Sequence, residues 1–182
     1  MIVSETRLPG VLVIEPKIFG DERGFFLETF HAERYREEAG IELEFVQDNH
    51  SRSGRGILRG MHFQTKRPQG KLVRCVLGEV FDVVVDINQD SATFGEWFGE
   101  RLSGENKKQL YVPPGYAHGF MVLSEYADFE YKCTDYYDPE NEGCLAWDDP
   151  DVGIDWPLDN PVLSGKDRVG KALGQMSELL SQ

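Results

Sequence analysis

The sequence predicts an all-β protein built as a jelly-roll barrel or sandwich, and three observations carry that prediction. Short runs rich in Val, Ile, Leu, Phe and Tyr recur at roughly ten-residue intervals, separated by Gly, Pro and Asn turn signals. The 19 glycines suit a fold with many turns. Hydrophobic residues make up 40% of the chain and aromatic ones 12%, enough for one well-buried core, and no low-complexity tract or internal repeat interrupts the 182 residues. A chain of this length is expected to form a single domain spanning residues 1–182.

Taken in order, Val11–Glu15 (VLVIE) reads as a short strand ended by Pro16, Lys17–Gly24 as a loop, and Phe25–Phe30 (FFLETF) as a second strand. His31–Ala39 is charged and followed by Gly40, the pattern of a short surface helix with a glycine C-cap. In Leu43–Ser51, alternation puts Phe45, Gln47, Asn49 and Ser51 on one face. Two amides in such a row belong either to an exposed face or to the lining of a ligand cavity.

Gly56–Phe63, Lys71–Leu77 and Glu79–Ile87 carry the strongest strand signals and read as consecutive antiparallel strands, punctuated at Arg67–Gly70 and at Gly78. In the third, Phe81, Val83, Val85 and Ile87 share one face while Val80, Asp82, Val84 and Asp86 share the other; two acids among valines need a polar interior or an edge. In the first, strict alternation groups Leu58, Gly60 and His62 and turns Arg59 away, unless a bulge at Gly60 re-aims one of them. Trp97–Leu102, Gln109–Val112, Ala117–Leu123 and Tyr126–Tyr137 supply further strands, and in the last of these Phe129, Tyr131, Cys133 and Asp135 share a face. After Pro139 come Cys144–Trp147, an Asp-Pro-rich loop, Leu163–Asp167 and a short terminal helix following Gly170.

A net charge of −13 argues against nucleic acid as a partner, since phosphate backbones recruit basic surfaces. One small anionic ligand remains compatible, because a local cluster of Arg and Lys dominates over a few ångströms when the Debye length is about 8 Å. Met1–Arg7 lacks a signal peptide's basic start and apolar run, and no stretch reaches the ~18 apolar residues of a membrane span. The expectation is a cytoplasmic protein without membrane contact. Three cysteines without CxxC spacing, two of them inside expected strands, read as free thiols.

Of the four histidines, His31 begins the surface helix, whereas His62 and His118 lie in the glycine-flanked strand segments RGMHF and YAHGF. Two such positions are how a barrel brings imidazoles into one cavity. No metal is expected there: position 64 is Gln and 66 is Lys, so the His-x-His pair with a following Glu is missing, and Lys66, Arg67 and Lys71 would repel a cation.

The segments RGFFLETF, QDNHS, GILRGMHFQ, QGKLVRCVLGEVFDVVVDI, TFGEW, YVPPGYAHGF, YKCTDYYDP, DPDVGIDWP and LSGKD, in this order and spacing, closely resemble the dTDP-4-dehydrorhamnose 3,5-epimerases, cupin-fold enzymes that use no metal or other cofactor. The resemblance covers nearly the whole chain. It implies a cupin-type jelly-roll barrel with short peripheral helices, a homodimer with an N-terminal strand such as Val11–Glu15 pairing across the interface, and a dTDP-4-keto-6-deoxy sugar substrate. It implies His62 as general base, Asp167 as the carboxylate orienting it, Tyr131 as acid on the opposite sugar face, and Lys71 as the group stabilising an enolate oxygen. Arg23, Glu28, Gln47, Asp48, Asn49, Arg59, His118, Glu142 and Lys166 match positions lining the nucleotide-sugar site, with Tyr137 a neighbouring aromatic contact. Asp82 has no assigned role.

The chemistry suits these residue types. A 4-keto sugar has acidified C–H bonds on both carbons beside its carbonyl, so inversion needs a base, an acid on the other face, and a cation or donor near the oxygen. Histidine, ordinarily titrating near 6.5, can take a proton at neutral pH, and tyrosine, near 10, can give one. Arginine's planar fork binds diphosphate oxygens in pairs. The competing functions are a single-carbon epimerase of another dTDP-deoxysugar pathway and a non-catalytic sugar-nucleotide sensor.

Overall fold

Thirteen strands and one helix, in the computed structural model, follow the hydrophobic runs within a few residues; the structure describes residues 1–176 and 180. In chain order they are β1 (Ile2–Glu5), β2 (Leu12–Glu15), β3 (Ile18–Asp21), β4 (Gly24–Leu27), α1 (Ala32–Ala39), β5 (Gln47–Gly54), β6 (Leu58–Gln64) and β7 (Lys71–Leu77). Then follow β8 (Glu79–Asp86), β9 (Trp97–Ser103), β10 (Gln109–Val112), β11 (Tyr116–Val122), β12 (Tyr126–Cys133) and β13 (Glu142–Cys144), with 3-10 turns at Asp167–Val169 and Leu173–Gln175. The terminal helix expected after Gly170 falls largely on residues 177–179, outside the described ones.

A six-stranded sheet, β1-β2-β10-β7-β12-β5, faces a five-stranded sheet, β13-β6-β11-β8-β9, and every strand pairing among the described residues is antiparallel. This is the jelly-roll barrel of the cupin type. The expectation that β6, β7 and β8 are consecutive neighbours is overturned: β6 and β8 both flank β11, while β7 lies in the other sheet between β10 and β12. The β6–β7 and β7–β8 connections both cross from sheet to sheet, and strand strength says nothing about which partner a strand finds. Two strands before the helix become four, because Lys17–Gly24 is not a plain loop but supplies β3 to a hairpin with β4. Helix α1 is as expected, capped by His31, whose Nδ1 accepts from the Arg34 N–H, and closed at Gly40.

Both faces of the five-stranded sheet are covered, which is why β8 carries valines on both of its faces. Inside, Val80 and Val84 join Val73, Leu102, Leu110, Val112, Phe120 and Phe129 between the sheets. Outside, Val83, Val85 and Ile87 pack with Met61, Phe63, Leu145, Val152 and Leu173 under the C-terminal tail. Each such buried side chain contributes about 1.5–3 kcal/mol. The tail is fastened by parallel bridges Ile57–Val162 and Leu145–Lys171, and this brings Asp167 up against β6.

The predicted bulge exists. Along β6 and β11, His62 pairs with His118 but Arg59 pairs with Phe120, so one strand spends three steps where the other spends two. Gly60 sits in the extra step at φ +123°, and a Cβ there would lie 2.6 Å from the Gly119 Cα and 2.7 Å from the His118 carbonyl oxygen. Before the bulge, Leu58 points outward; after it, Met61 and Phe63 do. Arg59 and His62 therefore share the inner face.

Candidate active site

One end of the space between the sheets is apolar; the other is a polar cavity of about 350 Å³. Its walls come from six strands, three from each of the two sheets. From the six-stranded sheet come Gln47, Asn49 and Ser51 on β5, Lys71 at the head of β7, and Phe129 and Tyr131 on β12; from the five-stranded sheet come Arg59 and His62 on β6, His118 and Phe120 on β11, and Glu142 on β13. Tyr137 and Lys166 close the rim. The paired amides of β5 thus line a cavity and are not on an exposed face.

His62 Nε2 lies 2.6 Å from Asp167 Oδ1, while Asp167 Oδ2 accepts from the Ser164 hydroxyl at 2.8 Å. Burial alone would raise the Asp167 carboxyl, but these two hydrogen bonds outweigh it and hold the group below the usual carboxylate range. An ionised carboxylate can only accept, so Nε2 carries the proton and Nδ1 keeps its lone pair. Across the cavity, burial pushes the Tyr131 hydroxyl up, which keeps it protonated and able to donate.

Lys71 is desolvated, and burial pulls its ammonium down from the ordinary lysine value; it forms no ion pair among the described residues. His118 Nε2 lies 2.9 and 3.0 Å from the two oxygens of Asp82, which is fully buried. Burial raises the Asp82 carboxyl, opposed by the charges of His118 and Lys71. At the rim, Glu142 accepts from Tyr137 Oη at 2.8 Å and Lys166 Nζ at 2.6 Å. Arg59 donates Nε to the Ser53 hydroxyl at 2.9 Å, leaving the rest of its fork for a ligand. His62, Tyr131 and Lys71 stand around one space.

A family model described as dTDP-4-dehydrorhamnose 3,5-epimerase matches residues 5–175. The chain belongs to the dTDP-4-dehydrorhamnose 3,5-epimerase family. A protein of that description from Pseudomonas aeruginosa is 57% identical over 173 residues, 94% of this chain and 96% of that protein. The crystal structure of a dTDP-6-deoxy-D-glucose-3,5-epimerase from Legionella pneumophila, in complex with dTDP-4-keto-L-rhamnose, superimposes with a TM-score of 0.96 at 55% identity, over 98% of this chain and 96% of that one. A 3'-monoepimerase from Streptomyces bikiniensis in complex with dTDP-quinovose superimposes at 0.89 with 35% identity, over 96% of this chain and 89% of that one.

Of the residues expected in this epimerase site, the structure brings His62, Tyr131, Lys71, Gln47, Asn49, Arg59, His118, Tyr137, Glu142 and Lys166 to the cavity, with Asp167 directly behind His62. It does not bring Arg23, Glu28 or Asp48 there. Asp48 lies on the outer face of β5, bonded to Lys132 at 2.9 Å, because alternation that turns Gln47 and Asn49 inward turns it outward. Arg23 sits on the exposed β3–β4 hairpin paired with Asp21, and Glu28 follows that hairpin paired with Arg34. Nor is Val11–Glu15 free to pair across an interface, since β2 is already flanked by β1 and β10. Sequence reasoning missed Ser51, Gln64 and Gln69, which also line the cavity. Ser51 was legible from its parity with Gln47.

Proposed function

We propose that this chain converts dTDP-4-dehydro-6-deoxy-glucose to dTDP-4-dehydro-rhamnose by inverting C3 and C5, the isomerase activity of its family, in dTDP-rhamnose biosynthesis. The observation that carries the reading is the His62–Asp167 pair and Tyr131 standing on opposite sheets of one cavity with Lys71 beside them. In the gluco configuration the C3 and C5 hydrogens are axial on the same ring face. One base therefore reaches both carbons, and one acid on the other face can return both protons.

His62 Nδ1 takes a proton from the carbon beside the carbonyl, and Asp167 stabilises the imidazolium that forms. Electron density moves into the C4 oxygen, where Lys71 supplies a half-buried cation against the growing enolate charge. Tyr131 then gives its hydroxyl proton to the opposite face. Arg59 and Lys166 are the cations available for the diphosphate, and Tyr137 offers its ring to the thymine. The group set needs no cofactor. We infer further that the protein is a homodimer in which the hairpin bearing Arg23, with exposed Phe19, Phe25 and Phe26, closes the partner's cavity, and that it works in the cytoplasm, where nucleotide sugars are made.

Deuterated water tests the roles. His62→Ala should abolish both exchange and epimerisation. Tyr131→Phe should still wash deuterium into at least one ring position while net inversion falls by roughly 10²-fold or more. Inversion of both carbons at the wild-type rate by Tyr131→Phe, or full exchange by His62→Ala, would remove the assignment.

A further inference from the structure

Behind the catalytic base lies a third chemistry-bearing side chain that the epimerisation does not use. Cys144 sits on β13 directly opposite His62 on β6, so both side chains point to the inner face. A nitrogen of His62, Sγ of Cys144 and a carboxylate oxygen of Asp167 all lie within 4.8 Å of one another. The donors are an imidazole, a sulfur and a carboxylate, the mixture that borderline-soft divalent cations prefer over the hard oxygen sets of magnesium and calcium. The carboxylate is already oriented by Ser164 through Oδ2, as the outer hydrogen bond of a metal-ligating carboxylate would be. His62 and Cys144 are only part-buried, so an ion can arrive from the cavity.

We propose that His62, Cys144 and Asp167 form an inhibitory site for a zinc-class divalent cation, which binds in place of the proton shared between His62 and Asp167. The inhibition rests on His62 being the base. Because Asp167 Oδ1 faces Nε2, an ion held by both residues must coordinate Nε2. Neutral imidazole then carries its one proton on Nδ1, and the lone pair that would attack the sugar C–H is lost. The thiol, pushed up to about 12 by burial, is protonated in the free protein and gives its proton to solvent when the cation binds. Three protein ligands leave the fourth tetrahedral position for water from the cavity. Binding requires the 2.6 Å contact to open by roughly 0.5–1 Å, since two donors each about 2.0–2.2 Å from a tetrahedral ion stand more than 3 Å apart.

The ion sits behind the imidazole, not in the sugar space, so it should lower kcat with little change in KM. Zinc sulfate titrated into EDTA-treated enzyme should inhibit turnover, and EDTA should restore it. Cys144→Ser, at a position with no part in proton transfer, should keep wild-type turnover without metal and need at least tenfold more zinc for half-inhibition; Cys144→Ala provides the same comparison if the serine variant does not fold. Cobalt(II) gives a readout independent of turnover. The wild type should show a thiolate-to-cobalt charge-transfer band that both variants lack. A cysteine-dependent band without inhibition would keep the site and remove His62 as the base. Equal zinc sensitivity in wild type and variants, or no thiolate band in the wild type, would overturn the proposal.

Discussion

Replacing Gly60 by alanine tests whether the β6 bulge builds the site. At φ +123° an alanine is held in a region essentially reserved for glycine, which costs about 1–3 kcal/mol. Its Cβ would lie 2.6 Å from the Gly119 Cα, against an ordinary carbon contact of roughly 3.5–4.0 Å, so β6 and β11 must part by about 1 Å or the bulge must flatten. Overpacking of this kind adds about 1–3 kcal/mol. The sum, roughly 2–6 kcal/mol, lowers the melting temperature by about 5–20 °C for a chain of this size. Catalysis should suffer more than stability, because misplacing a reacting group by about 1 Å costs on the order of 10²-fold. Gly56→Ala is the control: φ is +77° there, but nothing lies within 4 Å of the added carbon. Calorimetric melting and turnover of both variants decide the matter. Gly60→Ala matching Gly56→Ala in stability, with wild-type kcat, would refute the claim that the bulge is needed to put Arg59 and His62 on one face.

Other outcomes follow from the same geometry. Asp167 titrates below the ordinary carboxylate range, so the unfolded chain binds its proton first; the stability it contributes is complete above about pH 4–5 and is lost as pH falls through its lower folded value. Asp167→Asn should therefore lower the urea midpoint at pH 7, and the gap to wild type should close on acidification; a gap independent of pH would refute the linkage. Arg59→Ala should weaken dTDP binding by about 1.5–3 kcal/mol in calorimetric titration, the scale of a charge-assisted contact. Arg23→Ala should do likewise if its hairpin reaches a partner's cavity, and unchanged affinity in both variants would take the arginines out of the phosphate site. Activity should survive exhaustive EDTA treatment and dialysis; loss restored by zinc, iron or nickel would contradict a cofactor-free reaction.

The sequence showed strands more clearly than it showed sheets. Lys71–Leu77 was legible to the residue because a half-buried strand between glycine-containing turns has few alternatives, yet its neighbours β10 and β12 lie tens of residues away and no local pattern names them. The amide row Gln47-Asn49-Ser51 was legible as a face, but only the opposing sheet decides whether that face meets water or a cavity. Asp82 shows the same limit. Its parity with Val80 and Val84 left a polar interior or an edge open, and β11 pairing with β8 decides for the interior, since His118 arrives within 2.9 Å. Asp48 stood beside two site residues in the motif, and alternation alone was enough to turn its side chain out.

Because His62 and Tyr131 belong to different sheets, the distance between them is set by how the sheets pack and not by any loop. Two sheets pack about 10 Å apart when their inner side chains interdigitate. Here the spacer next to the chemistry is Phe120 on β11 stacked on Phe129 of β12, ring centroids 4.1 Å apart, both lining the cavity. Phe129 lies two residues from Tyr131 on one strand, and Phe120 two residues from His118 on the other, so the stack fixes the walls that carry both residues. Burying polar groups beside it costs free energy unless each is paired, and among the described residues no buried side-chain nitrogen or oxygen lacks a partner. The interior thus divides its labour by position: an apolar end holds the two sheets at a fixed separation, and the satisfied polar end uses that separation to place His62 and Tyr131 on opposite walls of one cavity.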